Sequence, residues 1–417
     1  MTVVAVDDTD SREEGMCTTY VAARIASALS GVERLLLVRL NPAVEHKTRG
    51  NAALAVHADC DPGEAFSVAR ETVTDLAAGD GTANPGVVVA DHAPEAVPDS
   101  VSEFAREAVR DHLTIPESEA LIERAGYRAW GAGNGRGRIG ALAAVGAWST
   151  LSEWTLEEIS YREPERWGTP REVDHQSVFA AAKTGYPAVW DTVDRIEGET
   201  VCVPHTPGPI LYGIRGDDAD AVRRIAARIE SEPVAERQLF VTNQGTDVHL
   251  REGEIGELRN GRAYRLSGEV VSGPETREGG HVFFEVGDGD RRLECVAFEP
   301  TKRFRERVRG LRAGDSLTVC GELSGGTLKL EKFAVRDLRT TRLETPTCPD
   351  CGRRMESAGA DQGYRCRDCA RTAEGKVERA VERELEEGWY EVPPCARRHI
   401  AKPLVRGGFD APVHPER

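Results

Sequence analysis

The first 115 residues alternate between short apolar runs and segments with apolar residues at helical spacing. Four apolar runs predict buried strands: 3–6, 34–40, 52–56 and 86–90. Two segments with helical spacing predict amphipathic helices: 18–29 and 64–77. The resulting β-α-β-β-α-β order is that of a ferredoxin-like split unit.

A second region of alternating helices and strands follows, after helices predicted at 101–113 and 117–125. Strands are predicted near 127–131, 139–147, 154–161, 191–205, 210–215 and 236–241. Helices are predicted at 176–183 and 218–230. The pattern predicts a second α/β layer in the middle of the chain.

Beyond about residue 255 the pattern changes to short strands. Five are predicted: 262–273, 281–286, 291–298, 316–323 and 327–335. A helical insertion, 304–311, lies between the third and the fourth, which is the arrangement of an OB-fold barrel. A charged helix is predicted at 372–387, and the basic segment that follows residue 393 is expected to be ordered only in part.

Two C-x-x-C pairs follow the predicted barrel. They are Cys348 with Cys351 and Cys366 with Cys369, and fourteen residues separate them. Such pairs place thiolates at the tips of two tight turns, and a hairpin can bring all four onto one tetrahedral zinc ion. Two disulfides are the alternative. Nothing else marks the chain as secreted, since the first strand begins at Val3 and the other cysteines are scattered, so a zinc site in a cytoplasmic protein is favoured.

Composition changes the interpretation of charge. The net charge of −16 argues against a nucleic-acid partner, but only seven of the 54 basic residues are lysine. Acid-rich, lysine-poor chains suit a cytoplasm of high salt, so we infer a halophilic source and judge basic patches locally. No run of 18 apolar residues occurs, and no membrane span is expected.

An acidic turn, Asp7-Asp8-Thr9-Asp10-Ser11, follows the first strand. Three carboxylates so close together repel one another unless a cation neutralises them, and oxygen ligands alone suit Mg²⁺ shared with a nucleotide phosphate. A solvated turn with a helix-capping aspartate is the alternative. Gly15 and the hydroxyl residues Thr18 and Thr19 at the next helix start favour an anion there, because N–H groups and the helix dipole attract phosphate.

Two further segments are candidates for phosphate binding. The run Gly131-Ala-Gly133-Asn134-Gly135-Arg136-Gly137 could turn its N–H groups toward phosphates, although it matches no standard nucleotide motif and could be a flexible loop. The loop 41–51, with Lys47 and Arg49, could clamp phosphates or an RNA backbone, or could be simple surface.

In this order, these segments resemble the archaeal isoleucine-tRNA agmatidine synthetases over essentially the whole chain. The acidic turn, the helix start to Tyr20, the stretch Asn41 to Ala53, the run Gly131 to Gly140, the barrel strands and the four cysteines carry the resemblance. It implies a multidomain α+β protein with a kinase-like α/β domain, a ferredoxin-like domain, an OB-fold and a zinc ribbon. We expect these at 1–115, 116–255, 256–340 and 341–375, with a helix and basic tail at 376–417.

The resemblance also implies a reaction. Family members join agmatine to C2 of the wobble cytidine in the CAU anticodon of an isoleucine tRNA, splitting ATP to AMP and two phosphates. The motif places an autophosphorylated threonine at Thr18 and the catalytic acids at Asp7, Asp8 and Asp10, of which Asp7 and Asp8 would hold Mg²⁺. Residues expected at the ATP are Gly15, Thr19, Lys47, Arg49, Gly131, Gly133, Asn134, Gly135, Arg136 and Gly137.

The sequence also offers candidate contacts for RNA and agmatine and leaves two alternative functions open. The basic residues within 302–312 and near the cysteines are candidates for RNA contact, and Tyr212 with Asp217 and Asp218 for agmatine. No obligatory protein partner is evident. One alternative function is an OB-fold and zinc-ribbon protein that only binds nucleic acid; the other is an ATP-dependent ligase that uses a different amine.

Overall fold

The structure is a computed structural model that describes residues 1–11, 16–45, 47, 50–79 and 81–417. The first 250 residues form one nine-stranded sheet with helices on both faces. Its first half contains β1 (Thr2–Asp7), α1 (Thr18–Ala28), β2 (Val32–Arg39), β3 (Ala52–Ala58), α2 (Pro62–Leu76), β4 (Gly86–Ala90), α3 (Asp99–Arg110), α4 (Ile115–Ala125), β5 (Arg128–Gly131) and α5 (Gly137–Thr150). Its second half contains β6 (Thr155–Arg162), α6 (His175–Gly185), β7 (Val189–Trp190), β8 (Ile210–Gly216), α7 (Ala219–Ala226) and β9 (Val234–Thr242).

The two halves of the sheet repeat one topology. The strand order is β5-β4-β1-β3-β2-β9-β6-β8-β7, so β4-β1-β3-β2 and β9-β6-β8-β7 are the same permutation of a β-α-β-β-α-β unit. Neighbouring strands within each unit are antiparallel, whereas β2 and β9 join the units in parallel through Leu36 with Val241 and Leu37 with Thr242. The element order predicted for residues 1–115 is confirmed.

Glycines let α5 lie directly on the strands of the first unit. A Cβ on Gly86 of β4 would lie 2.1 Å from the backbone nitrogen of Arg138, and one on Gly137 would lie 2.7 Å from the carbonyl oxygen of Asp7. No side chain therefore fits between the start of α5 and the ends of β1 and β4. This close packing fixes α5 next to the acidic turn.

Two predictions in the middle of the chain are wrong. The predicted strand 139–147 is the interior of α5, and its residues 141–145 are buried on all sides, so the run has no polar face to reveal a helical period. The predicted strand 191–205 is a turn-rich connection. There the carboxylate of buried Asp194 accepts hydrogen bonds from the backbone N–H groups of Ile196 and Glu197, which holds a turn rather than a strand.

The carboxy-terminal part contains the predicted barrel. Its strands are β10 (Leu250–Glu252), β11 (Arg262–Thr276), β12 (Val282–Asp288), β13 (Arg291–Ala297), β14 (Ser316–Ser324) and β15 (Thr327–Asp337), and α8 (Phe304–Arg309) lies between β13 and β14. Pairing of β11 with both β12 and β14, and of β15 with both β13 and β14, closes the five long strands into a barrel. The OB-fold order is confirmed.

A two-stranded stalk connects the barrel to the cysteine-rich module. It pairs β16 (Thr341–Glu344) with β20 (Val377–Ala380), and between them lie β17 (Glu356–Ser357), β18 (Tyr364–Arg365) and β19 (Thr372–Ala373). The helix predicted at 372–387 is therefore wrong. Although its residues favour helix locally, pairing with β16 keeps residues 377–380 extended, and Arg383 beyond them binds the buried carboxylate of Asp315 with a 2.6 Å contact.

After β21 (Gly388–Glu391), residues 393–406 form a strap across the molecule, and β22 (Val413–His414) follows. The expectation that this basic segment is only partly ordered is wrong, because its cations pair with acids of the barrel and the sheet. The pairs are Arg397 with Asp191 and Glu391, Arg398 with Glu322 and Glu331, Lys402 with Glu153, and Arg406 with Glu153 and Asp217.

An ion pair with a buried lysine joins the barrel to the segment between β9 and β10. The Nζ of Lys332, on β15 and only 1% exposed, lies 2.7 Å from both carboxylate oxygens of Asp247, and the backbone N–H of Lys402 donates to the same carboxylate. The barrel, the connection between β9 and β10, and the strap therefore meet at one carboxylate. Among the described residues no helix is long and apolar enough to cross a membrane.

Candidate active site

A cavity of about 530 Å³ opens beside the carboxyl end of β1. Strands of both sheet halves contribute to its walls, with Leu37 and Arg39 from β2, Glu157 and Ile159 from β6, and Gly213 and Arg215 from β8. The acidic turn, the start of α1 and the start of α5 complete it. The cavity thus spans the seam between β2 and β9.

Three carboxylates, Asp7, Asp8 and Asp10, line one end of the cavity. Burial, and then the neighbouring carboxylate of Asp8, raise the pKa of Asp7 well above its usual value. Burial also raises the pKa of Asp8, although Arg136 opposes this with a 2.6 Å contact between its Nε and the carboxylate. Carboxylates whose ionised forms are disfavoured in this way gain most from a cation.

The Asp7 carboxylate occupies space that a side chain at Gly140 would fill. A Cβ on Gly140 of α5 would lie 1.9 Å from the Oδ2 of Asp7, far inside contact distance. The backbone N–H of Asp8 donates to the Oδ1 of Asp7 at 2.7 Å, and Asp8 itself has a positive φ of 58°. The Asp7 carboxylate is therefore held between the backbone of the turn and the surface of α5.

The start of α1 faces the same cavity. Cys17, Thr18 and Thr19 line it, and both threonines are buried. The hydroxyl of Thr9 in the acidic turn donates to the Oγ1 of Thr18 at 3.1 Å, so the two segments touch. Among the described residues Cys17, at the N-cap of α1, makes no side-chain capping hydrogen bond, and the N-terminus of a helix attracts anions.

Only part of the glycine-rich segment reaches the cavity. Asn134 and Arg136 line it, whereas Gly131, Gly133, Gly135 and Gly137 do not. These glycines serve close packing instead: a Cβ on Gly133 would lie 2.4 Å from the side chain of Asn84, and the positions of Gly135 and Gly137 are equally crowded. The backbone nest expected for phosphates is thus replaced by one amide and one guanidinium.

The loop between β2 and β3 contributes Lys47, Gly50 and Asn51 to the cavity wall. Gly15 and Arg49, both expected at the ATP, lie outside the described residues. The residues suggested for agmatine do not line the cavity. The hydroxyl of buried Tyr212 donates to the carbonyl of Ala226, Asp217 pairs with Arg406, and Asp218 caps α7.

Sequence reasoning missed Arg39, Glu157 and Arg215. They come from three separate strands, so no local motif joins them. The available signal was a charged residue in a strand that is otherwise apolar or buried, as in Leu35-Leu36-Leu37-Val38-Arg39. Such a residue marks the point where a strand leaves the core and borders a cavity.

The four cysteines converge at a second site. The sulfur atoms of Cys348, Cys351, Cys366 and Cys369 all lie within 4.8 Å of one another. Tetrahedral zinc with bonds of ~2.3 Å places its sulfur ligands ~3.8 Å apart, so this donor set fits the ion. Two ion pairs connect the two C-x-x-C turns: Arg353 pairs with Asp368 at 2.7 Å, and Arg371 pairs with Asp350 at 2.8 Å.

The basic residues suggested for RNA fall into two groups. Several are engaged within the protein: Arg303 with Asp194 and Glu416, Arg305 with Glu299, Arg309 with Glu306, and Arg367 with Glu356. Others are exposed: Arg307, Arg312, Arg354 and Arg365. The exposed group spans the barrel helix and the zinc module.

Family models match most of the chain. The TiaS TCKD domain matches residues 3–134 and the TiaS FLD domain residues 135–249. An OB-fold nucleic acid binding domain matches residues 264–326 and the TiaS C-terminal zinc ribbon domain residues 345–385. The order of these matches agrees with the sheet, the barrel and the cysteine module.

Full-length relatives and solved structures agree with these matches. The chain is 54% identical to the isoleucine-tRNA 2-agmatinylcytidine synthetase TiaS of Haloquadratum walsbyi over 100% of both chains, and 45% identical to that of Methanosarcina mazei over 97% of both. A crystal structure of TiaS in complex with the isoleucine tRNA and ATP superposes with a TM-score of 0.89 at 42% identity, covering 100% of this chain and 99% of the other. A complex of TiaS with the same tRNA, AMPCPP and agmatine gives 0.86 at 41% identity with the same coverage.

Proposed function

Since the chain belongs to the family of isoleucine-tRNA 2-agmatinylcytidine synthetases, we propose that it joins agmatine to C2 of the wobble cytidine of the isoleucine tRNA and consumes ATP. The observation that carries the proposal is the cavity in which an acidic turn touches a hydroxyl-bearing helix start. Residues 1–115 would act as the kinase-like domain, and residues 116–255, which contain β6–β9, as the ferredoxin-like domain.

The acidic turn would hold magnesium and the start of α1 would receive the phosphates. Asp7 and Asp8 have raised pKa values through burial, so a bound cation stabilises their ionised forms. Magnesium would neutralise charge on the triphosphate. The hydroxyl of Thr18, which contacts Thr9 of the turn, is the proposed phosphoryl acceptor.

The chemistry requires activation of a poor leaving group. Phosphorylation of the cytosine O2 converts it into one that can depart as phosphate. The primary amine of agmatine then attacks C2, the C2–O2 bond breaks, and the amine loses a proton to a carboxylate or phosphate. Catalysis is therefore largely positioning and charge neutralisation, for which the cavity supplies three aspartates and Arg136.

The carboxy-terminal modules would hold the tRNA. Exposed Arg307, Arg312, Arg354 and Arg365 extend from the barrel to the zinc module and would contact phosphates. The wobble base must leave its stack to enter the cavity, which costs a few kcal/mol and is cheapest in a single-stranded anticodon loop.

The test is mass spectrometry of an isoleucine tRNA transcript with the CAU anticodon after incubation with the full chain, ATP, magnesium and agmatine. We expect an agmatine adduct at the wobble cytidine. Thr18→Ala should abolish the adduct while tRNA affinity stays within about twofold. Thr74→Ala is the matched control, because Thr74 is an exposed helical threonine on α2.

The rival functions give different results. A protein that only binds nucleic acid would bind the tRNA without consuming ATP in response to agmatine. A ligase with another amine would consume ATP with that amine and leave the tRNA unmodified. Equal loss of tRNA binding in Thr18→Ala would contradict the role proposed for this hydroxyl.

A further inference from the structure

The wall of the cavity formed by β2, β6 and β8 carries two arginines for one carboxylate. Arg39 lies at the end of β2 and Arg215 on β8, and both side chains line the cavity. Glu157 on β6 lies between them, with its Oε1 3.2 Å from the Nε of Arg215 and its Oε2 4.0 Å from a terminal nitrogen of Arg39. The Glu157 side chain is only 5% exposed.

The charges on this wall do not cancel. The guanidinium groups of Arg39 and Arg215 share the carboxylate of Glu157. The Oε2 of Glu157 is buried and accepts no hydrogen bond from any described residue. Elsewhere in the cavity, Asp8 is paired with Arg136 and Asp111 with Arg262. On this wall, the printed ion pairs therefore join two guanidinium groups to one carboxylate, and Asp10 of the acidic turn also interacts electrostatically with Arg39.

Hydrogen bonds and close packing hold the side chains of Arg39 and Glu157. The Nε of Arg39 donates to the Oε1 of Gln244 at 2.8 Å, and its backbone N–H donates to the side chain of Asn243. Gly50 leaves space for the Arg39 guanidinium, since a Cβ there would lie 2.5 Å from it. Gly213 does the same for Glu157, at 2.6 Å from its Oε1. Loss of side-chain entropy on binding a ligand is therefore small.

We propose that Arg39 and Arg215 form an anion subsite of the cavity that binds a phosphate group, and that Glu157 positions them. Guanidinium groups bind phosphate oxygens through paired hydrogen bonds, so the ligand class is a phosphate ester or anhydride. Arg39 interacts electrostatically with Cys17 and Asp10, at the end where α1 begins. This location favours a phosphate of ATP over one of the RNA backbone.

The inference rests on the proposed function only for the identity of the ligand, so binding is measured separately from modification. Arg39→Gln and Arg215→Gln are compared in the full chain by titration with magnesium ATP in the absence of tRNA, and with the isoleucine tRNA in the absence of ATP. We expect ATP binding about 10- to 100-fold weaker in each variant, with tRNA affinity changed less than about twofold. Arg34→Gln is the matched control, because Arg34 also lies on β2 but stacks on Trp148.

Each other outcome has a defined meaning. Weaker tRNA binding with unchanged ATP binding assigns the subsite to an RNA phosphate and supports it. Unchanged binding of both ligands in folded Arg39→Gln and Arg215→Gln overturns it. Should Arg39→Gln fail to fold, Arg39→Lys keeps the charge but loses the planar fork, and unchanged ATP affinity in that variant together with Arg215→Gln overturns the subsite. A wild-type chain that binds ATP but forms no agmatine adduct contradicts the proposed function alone.

Discussion

Replacement of Gly140 by alanine tests whether the placement of the Asp7 carboxylate matters for the reaction. The added Cβ would lie 1.9 Å from the Oδ2 of Asp7, and real Cβ contacts stay beyond 3.0 Å, so the carboxylate has to move by about 1 Å. A misplacement of ~1 Å in a reacting constellation costs ~100-fold in rate, or ~2.7 kcal/mol of activation free energy. Stability should change little, because alanine favours a helix by up to ~1 kcal/mol over glycine and offsets part of the contact.

Gly146, further along α5, supplies the control. A Cβ on Gly146 would lie 2.5 Å from the carbonyl oxygen of Val101 and 2.9 Å from the Cβ of Ala105, both on α3. Gly146→Ala should therefore lower stability by ~1–3 kcal/mol through overpacking of two helices, without touching the acidic turn.

The assay pairs thermal unfolding with the rate of phosphoryl transfer from ATP under single-turnover conditions. We expect Gly140→Ala to melt near the wild-type temperature and to react ~100-fold more slowly, and Gly146→Ala to melt lower but to react near the wild-type rate per folded molecule. A Gly140→Ala protein that reacts at the wild-type rate would refute the reasoning, since the geometry of Asp7 would then be unimportant.

Three further predictions concern other parts of the molecule. Cys348→Ser should reduce bound zinc, measured by elemental analysis, and weaken tRNA binding while ATP binding is retained; full zinc retention would contradict the site. Asp247→Ala should destabilise the chain to urea by ~3 kcal/mol, because Lys332 is left buried and unpaired, and the double variant with Lys332→Met should recover most of the loss. Burial lowers the pKa of His249, and of His57, from 6.5 to about 4. Between these values the unfolded state binds the proton and the folded state does not, so stability falls as pH drops from 6.5 towards 4, by up to ~1.4 kcal/mol per pH unit for each histidine; His249→Gln should flatten this slope in urea unfolding.

The sequence predicted correctly those elements whose signal lies within one short segment of the chain. Sequence patterns predicted β1 to β4, the barrel strands and the two C-x-x-C turns, because apolar alternation, turn residues and metal-ligand spacing are local properties of a sequence. They failed for residues 139–147 because α5 is buried on all sides, where a helix and a strand look alike in a short apolar run. They failed for 372–387 because pairing with β16 overrides local helix preference.

The residues of the candidate site also divide into those that local sequence patterns predict and those that they do not. The acidic turn, Thr18 and Arg136 belong to contiguous segments, and the structure brings them to one cavity. Arg39, Glu157 and Arg215 are distant along the chain, and even the nearer two, Glu157 and Arg215, are 58 positions apart. Glu157 and Arg215 meet because β6 pairs with β8, and Arg39 joins them only because the two sheet halves share an edge. Sequence patterns carry no information about that edge, since only two residue pairs form it.

The pairing of β2 with β9 makes the junction between the two sheet halves sensitive to a ligand in the cavity. Neither half of the sheet encloses the cavity by itself, so a ligand that touches both halves acts as a brace across the junction. Occupied and empty molecules should differ most in the rate at which amide hydrogens near Leu36 and Val241 exchange with solvent. Cutting the chain between α5 and β6 would leave each piece with one β-α-β-β-α-β unit and only part of the cavity wall.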